Sequence, residues 1–138
     1  MQAFILFLQS HQQLSVTFAV LLTLLIVVEF IRQKRATYLI NPQQLTQKLN
    51  HENAKVFDLR SPEEFKKGHI IDSTSIPASE FAQSKKIDKT KGPYVLVCAK
   101  GTESLKLANQ LKSQGWNVYV LGGGISSWIN AELPLVKD

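Results

Sequence analysis

A chain of 138 residues with 44% apolar and 20% charged side chains has room for one ordinary folded domain and a short appendage, and is too apolar to be disordered. Its net charge is +5, but no nucleic-acid motif and no aromatic interleaving accompany the lysines, so nucleic acid is not an expected partner. The single cysteine, Cys98, excludes an internal disulfide and a multi-cysteine metal site, and His11, His51 and His69 lack ligand spacing, so no metal site is expected.

The charge is unevenly spread. Residues 1–31 hold one charged side chain, Glu29, whereas 32–138 hold all 16 Lys and Arg against ten acids. From Leu14 to Ile31 the apolar run is interrupted only by Ser15, Thr17, Thr23 and Glu29. The three hydroxyls can bond back to their own helix backbone. These 18 residues come close to the roughly 20 that cross a hydrocarbon core. Phe4–Leu8 adds a second apolar stretch, which either extends the helix or lies in the interface. No Lys or Arg precedes the run and no small-residue cleavage site follows it, which disfavours a signal peptide. The run is apolar all round, unlike the amphipathic helix of a soluble core. Residues 1–35 therefore read as a single-pass membrane anchor whose partner is the lipid bilayer.

Arg32, Lys34 and Arg35 follow at once. By the positive-inside rule they place the C-terminal part in the cytoplasm. As a juxtamembrane collar they would attract anionic lipid by about 1 kcal/mol each.

Residues 40–138 read as a small α/β domain. Asn41-Pro42 opens a helix with Leu45 and Leu49 on one face. Lys55–Leu59 is a short buried strand. Ser61-Pro62-Glu63-Glu64 combines an N-cap, a first-turn proline and two acids near the positive helix end, and Gly68 stops that helix. Ile76-Pro77 closes an extended segment, Ala78–Gln83 begins a brief helix, and Lys85–Gly92 is a solvated loop. Pro93–Val97 is the strongest strand and runs straight into Cys98. Ser104–Ser113 is an amphipathic helix with Leu107, Ala108 and Leu111 inward, capped by Gly115. Trp116–Leu121 is a further strand, and Gly122-Gly123-Gly124 turns into a last helix, Ile125–Asn130, in which Trp128 packs as core. Three strands with intervening helices make a central parallel sheet with covered faces.

The chemistry concentrates at Cys98. A cysteine nucleophile acts as a thiolate and needs surroundings that accept negative charge. Cys98 lies at the C-terminal end of a strand, where open α/β sheets place their sites. The following loop, Ala99-Lys100-Gly101-Thr102-Glu103-Ser104, opens a helix, so free N–H groups and the positive dipole end can face the sulfur. Gly101 permits a curled loop, Lys100 brings a positive charge, and Thr102 and Ser104 bring hydroxyl donors. Asp58 and Arg60 read as a buried pair bracing the sheet end, and His69 as a hydrogen-bonded structural residue.

Three blocks in this order resemble the single-domain rhodanese family over residues 40–135. They are Val56–Arg60 with Pro62–Phe65 and Gly68-His69-Ile70; the cysteine loop; and Leu121–Gly124 with Trp128 and Leu133-Pro134. With the anchor in front, the whole chain resembles a membrane-tethered rhodanese of a bacterial inner membrane. The resemblance implies that Cys98 takes a sulfur from a small donor or a persulfide-carrying protein and passes it to an acceptor, with Asp58 and Arg60 supporting the loop and with no metal or organic cofactor required. The family's loops often carry Arg where Glu103 stands, and a carboxylate there repels anionic donors such as thiosulfate.

Three functions compete. The first is a sulfurtransferase. The second is a non-enzymatic adaptor for a membrane-protein partner, favoured by the anchor and Glu103. The third is a cysteine phosphatase, which needs an Arg six positions after the Cys, where this chain has Ser104.

Overall fold

The computed structural model describes residues 1–36 and 38–138, with the side chains of Arg35 and Ala36 excepted. The side chain of the Arg35 member of the basic collar therefore lies outside the description. The chain forms two compact units, Met1–Thr37 and Tyr38–Asp138.

The first unit is helical. Helix α1 spans Gln2–Ser10 and α2 spans Gln12–Ala36. Within α2, the stretch Gln12–Lys34 contains an 18-residue window with a mean hydropathy of 2.6, none of it buried in protein. Thr17 and Thr23 donate their hydroxyls to Gln13 and Ala19 carbonyls at 2.7 and 2.8 Å, which hides their polarity inside the helix.

The second unit is a five-stranded parallel sheet in the order β1-β5-β4-β2-β3. Its strands are β1 (Leu39–Ile40), β2 (Lys55–Asp58), β3 (Thr74–Ser75), β4 (Tyr94–Val97) and β5 (Val118–Leu121). The helices are α3 (Pro42–His51), α4 (Pro62–Lys67), α5 (Ala78–Phe81), α6 (Thr102–Ser113) and α7 (Gly124–Asn130), with a 3-10 turn at Lys89–Lys91. The sequence points to three strands; β1 and β3 add one pair of residues to each sheet edge.

Alternation along the strands sorts the core into two layers. Tyr94, Leu96 and Cys98 pack with Phe57, Phe81 and the Leu107, Ala108 and Leu111 face of α6. Val95 and Val97 pack on the other side with Leu45 of α3 and with Ile125 and Trp128 of α7. The helices after β4 and β5 thus cover opposite faces. Their N-termini meet at the C-terminal end of the sheet, beside the end of β4.

Local signals set the helix starts. Asn41 and Ser61 are both reciprocal caps, each accepting from the third helical N–H while Gln44 and Glu64 reach back to the cap N–H. Hydrogen bonds from the Ser61 hydroxyl and N–H hold the Glu64 carboxyl below the usual glutamate range. Trp128 is core, and its Nε1–H donates to the Pro134 carbonyl at 3.0 Å.

Candidate active site

The chain leaves β4 at Val97 and turns through Cys98–Gly101 into α6. Gly101 is the N-cap of α6 at φ 89, in the left-handed region that favours glycine. A Cβ there would also meet the Gly123 backbone nitrogen at 3.0 Å. The curl folds the loop back over its own sulfur. Cys98 Sγ accepts the Gly101 N–H at 3.1 Å and the Ser104 N–H at 3.4 Å, and lies 3.2 Å from Ser104 Oγ. Cys98 is 3% exposed and Ser104 fully buried.

The Ser104 hydroxyl also donates to the Gly101 carbonyl at 3.2 Å. Its proton therefore has two addresses. Beside a thiol, S–H donates to Oγ and Oγ–H to the carbonyl. Beside a thiolate or other anionic sulfur, rotation of the hydroxyl supplies a third donor. The N-terminal end of α6 adds about 0.3–1 kcal/mol of stabilisation for negative charge at this place.

The second wall of the site comes from α7. Ile125 N–H donates to the Cys98 carbonyl at 2.9 Å, and Ser126 donates to the Ala99 carbonyl through its N–H at 3.2 Å and its hydroxyl at 3.1 Å. Both carbonyls of the loop's first turn are thereby tied to α7. In a trans peptide the N–H points opposite to the C=O, so the Ala99 and Lys100 amides are turned away from α7. Together with the Thr102 and Glu103 amides they find no acceptor among the described residues. These four unpaired donors belong to the same loop whose Gly101 and Ser104 N–H groups hold the sulfur, a composition suited to a small anion or an anionic sulfur chain. Gly124 makes the approach possible, because a Cβ on it would stand 2.2 Å from the Cys98 carbonyl oxygen.

The structure divides the predicted loop residues into two groups. Cys98, Gly101 and Ser104 converge on the sulfur. Ala99, Lys100, Thr102 and Glu103 are exposed around the rim. Thr102 thus supplies no hydroxyl to the sulfur: it lies two positions before Ser104, and about 200° of helical rotation carries its side chain to the far side. Lys100 and Glu103 form no ion pair with each other among the described residues, so the rim presents both charges separately.

Asp58 and Arg60 brace the floor. Asp58 is 1% exposed at the end of β2, in register with Val97 of β4. Arg60 grips both carboxylate oxygens, with Nη2 2.7 Å from Oδ2, and passes a further bond to the Gly68 carbonyl at 2.7 Å. The pair ties the end of α4 to the C-terminal end of β2 without touching the sulfur. His69 stacks on Phe65 with ring centroids 3.8 Å apart and donates from Nδ1 to the Phe65 carbonyl at 2.9 Å. Its backbone pairs with Val136, so it fastens the C-terminal segment. No group of three or more potential metal ligands occurs among the described residues.

The α7 strap is the part that sequence reasoning missed. Gly122-Gly123-Gly124 reads as a turn. Three consecutive glycines also signal a close backbone approach, and here the approach is to the cysteine loop.

Comparison with known proteins gives a consistent result. The rhodanese-like domain model matches residues 41–131. YibN of Escherichia coli (strain K12) is 32% identical over 141 residues, covering 99% of this chain and 99% of that protein. Thiosulfate sulfurtransferase GlpE of Pseudomonas aeruginosa is 36% identical over 90 residues, 64% of this chain and 81% of that protein. The crystal structure of a rhodanese-related protein from Thermoplasma volcanium superposes with a TM-score of 0.65 at 33% identity, over 73% of this chain and 99% of that one.

Proposed function

This chain belongs to the rhodanese-like domain family, and from that premise we propose that it is a membrane-tethered sulfurtransferase carrying sulfane sulfur as a persulfide on Cys98. The observation that carries the reading is the convergence of three donors on one buried sulfur at the start of a helix. The Cys98 thiolate attacks the outer sulfur of a donor such as thiosulfate or another persulfide. A new S–S bond forms, the donor's own bond to that sulfur breaks, and its electron pair leaves with sulfite or the donor thiolate. An acceptor nucleophile then attacks the outer sulfur and Cys98 departs as thiolate, so no external oxidant is needed. Negative sulfur persists throughout, which is what the loop amides and α6 are arranged to hold. GlpE, named a thiosulfate sulfurtransferase, supports the reaction class.

Tethering rests on Gln12–Lys34, long and apolar enough to cross a bilayer. The absence of Lys and Arg before Arg32 supports a single pass with the catalytic domain on the cytoplasmic side, at the inner membrane of a bacterium. Partners are then a small sulfur donor or a persulfide-carrying protein and the lipid bilayer.

Incubation of the full chain with thiosulfate, and separately with a low-molecular-weight persulfide, should add the mass of one sulfur atom to the protein. Failure of every donor to give the adduct would remove the enzymatic reading. Ser104→Ala withdraws the hydroxyl donor, and one hydrogen bond to a charged group contributes about 1.5 kcal/mol, so single-turnover loading should slow about tenfold. An unchanged rate would show that the two amides suffice.

The exposed rim sets donor preference. Replacing the Glu103 carboxylate by a guanidinium exchanges repulsion for attraction, each about 0.5–1 kcal/mol at an exposed position, so Glu103→Arg should raise kcat/KM for thiosulfate about tenfold. The gain should shrink at high ionic strength, which screens exposed charges; a gain that salt leaves unchanged would refute a charge effect. Glu103 is also the observation that favours an adaptor role for a membrane-protein partner, and retention of cellular function by Cys98→Ser would support that second reading.

A further inference from the structure

We propose that α1 lies in the plane of the membrane interface, as a second lipid contact beside the span formed by α2; the inference rests on reading α2 as that span. The sequence leaves Phe4–Leu8 with two roles, as an extension of the spanning helix or as an interfacial segment. The helix ends between the two stretches. His11 takes φ −125 and ψ 44, outside helical values, and α2 restarts at Gln12. Ser10 Oγ and the His11 ring both turn back to the Phe7 carbonyl, at 2.9 and 3.3 Å, closing the end of α1 with side chains.

Length excludes a single span. From Phe4 to Ile31 a straight helix would measure about 42 Å at 1.5 Å per residue, against a hydrocarbon core of about 30 Å. It would also carry Gln9, Ser10, His11, Gln12 and Gln13 into the core. Leu14–Ile31 alone fits the core, at about 27 Å, and leaves this polar elbow at the headgroups.

Extension into water is equally poor. Phe4, Ile5, Leu6 and Phe7 are each at least half exposed, at 66%, 51%, 65% and 58%, and α1 contains no charged side chain. The arms turn toward each other instead. Phe4, Phe7 and Leu8 of α1 line one groove of about 560 Å³ with Leu14, Phe18 and Leu21 of α2. In a continuous helix Phe4 and Leu21 would be about 26 Å apart. A groove apolar on both walls and continuous with the spanning segment fits acyl chains. Gln2 at one end of α1 and Gln9 at the other keep the helix from plunging, because burying either amide in hydrocarbon costs several kcal/mol. Lying flat, α1 sinks its apolar side chains and leaves both ends at water level.

Depth measurement tests this. Single cysteines at Phe4, Leu8 and Leu21, each in the full chain with Cys98→Ser, would carry nitroxide labels in phospholipid vesicles. Collision with oxygen against a water-soluble relaxant gives the depth of each. The expected result is equal, shallow depth at positions 4 and 8, about 5–10 Å below the headgroups, with position 21 near the bilayer centre. Water-like labels at 4 and 8 with a deep label at 21 would overturn the placement of α1 alone. A label at 4 deeper than at 8 would replace it by a re-entrant helix. Dipolar broadening between labels at position 4 would assign α1 to a second copy of the chain. A water-exposed label at 21 would remove the span and α1's role together.

Discussion

Cys98→Ser is expected to abolish sulfur uptake completely while leaving the domain folded. The chain's only thiol is Cys98, and an oxygen at the same place cannot form the S–S bond on which transfer depends. The substitution is mild structurally. Sulfur and oxygen differ by little volume, and the Gly101 and Ser104 N–H groups that met Sγ at 3.1 and 3.4 Å remain to satisfy a serine hydroxyl. A buried hydroxyl with such partners avoids most of the desolvation cost, so the melting temperature should shift by only a few degrees. The comparison is made by intact mass after incubation with a sulfur donor, alongside thermal unfolding of both proteins. A serine variant that still gained one sulfur would end the assignment of Cys98 as carrier.

The largest structural effect is expected at Gly124. Gly124→Ala places a methyl group 2.2 Å from the Cys98 carbonyl oxygen and 2.8 Å from the Ala99 carbonyl carbon and oxygen. These are backbone atoms and cannot swing aside. The residue also sits at φ 61, where a side chain adds strain. Either α7 or the cysteine loop must move, breaking the bonds from Ile125 and Ser126. Overpacking, strain and lost hydrogen bonds together cost on the order of 3–5 kcal/mol. At about 4–8 °C per kcal/mol for a domain of this size, the melting temperature should fall by roughly 20 °C. Gly122→Ala is the control. Its Cβ would meet nothing nearer than the Ile40 carbonyl oxygen at 3.6 Å, so it should stay within about 1 kcal/mol of the parent. Equal effects at both positions would refute the close approach at Gly124 as the cause.

Much of this is legible in the sequence, for physical reasons that differ by element. β4 announces itself because its whole length is buried and three of its four residues are β-branched or aromatic. α4 does so because Ser61, Pro62 and Glu64 are each placed where a helix start needs them. β1 and β3 were not legible, since two residues carry no periodicity. Leu39–Ile40 and Thr74–Ser75 become strands only because β5 and β2 offer them an edge. Within the site, Cys98, Gly101 and Ser104 follow from spacing, because a curled loop entering a helix brings the residues three and six positions on back over the cysteine. Thr102 is equally suitable by residue type, and helical phase turns it outward; Lys100 precedes α6 and stands exposed on the rim. The strap was hidden for another reason: Ser126 meets Ala99 across 27 residues of chain, and no local pattern records such a meeting.

The solitude of Cys98 has a kinetic consequence. Many thiol enzymes discharge their load internally, when a second cysteine closes a disulfide and resets the first. This chain has no second cysteine, so in the proposed reaction every sulfur that arrives would leave by collision with another molecule. Donor and acceptor would take turns at the same atom, each departing before the other reacts. Turnover should then follow ping-pong kinetics, with parallel lines in double-reciprocal plots. Between encounters, such a protein would rest as a loaded carrier whose lifetime is set by the abundance of its acceptor.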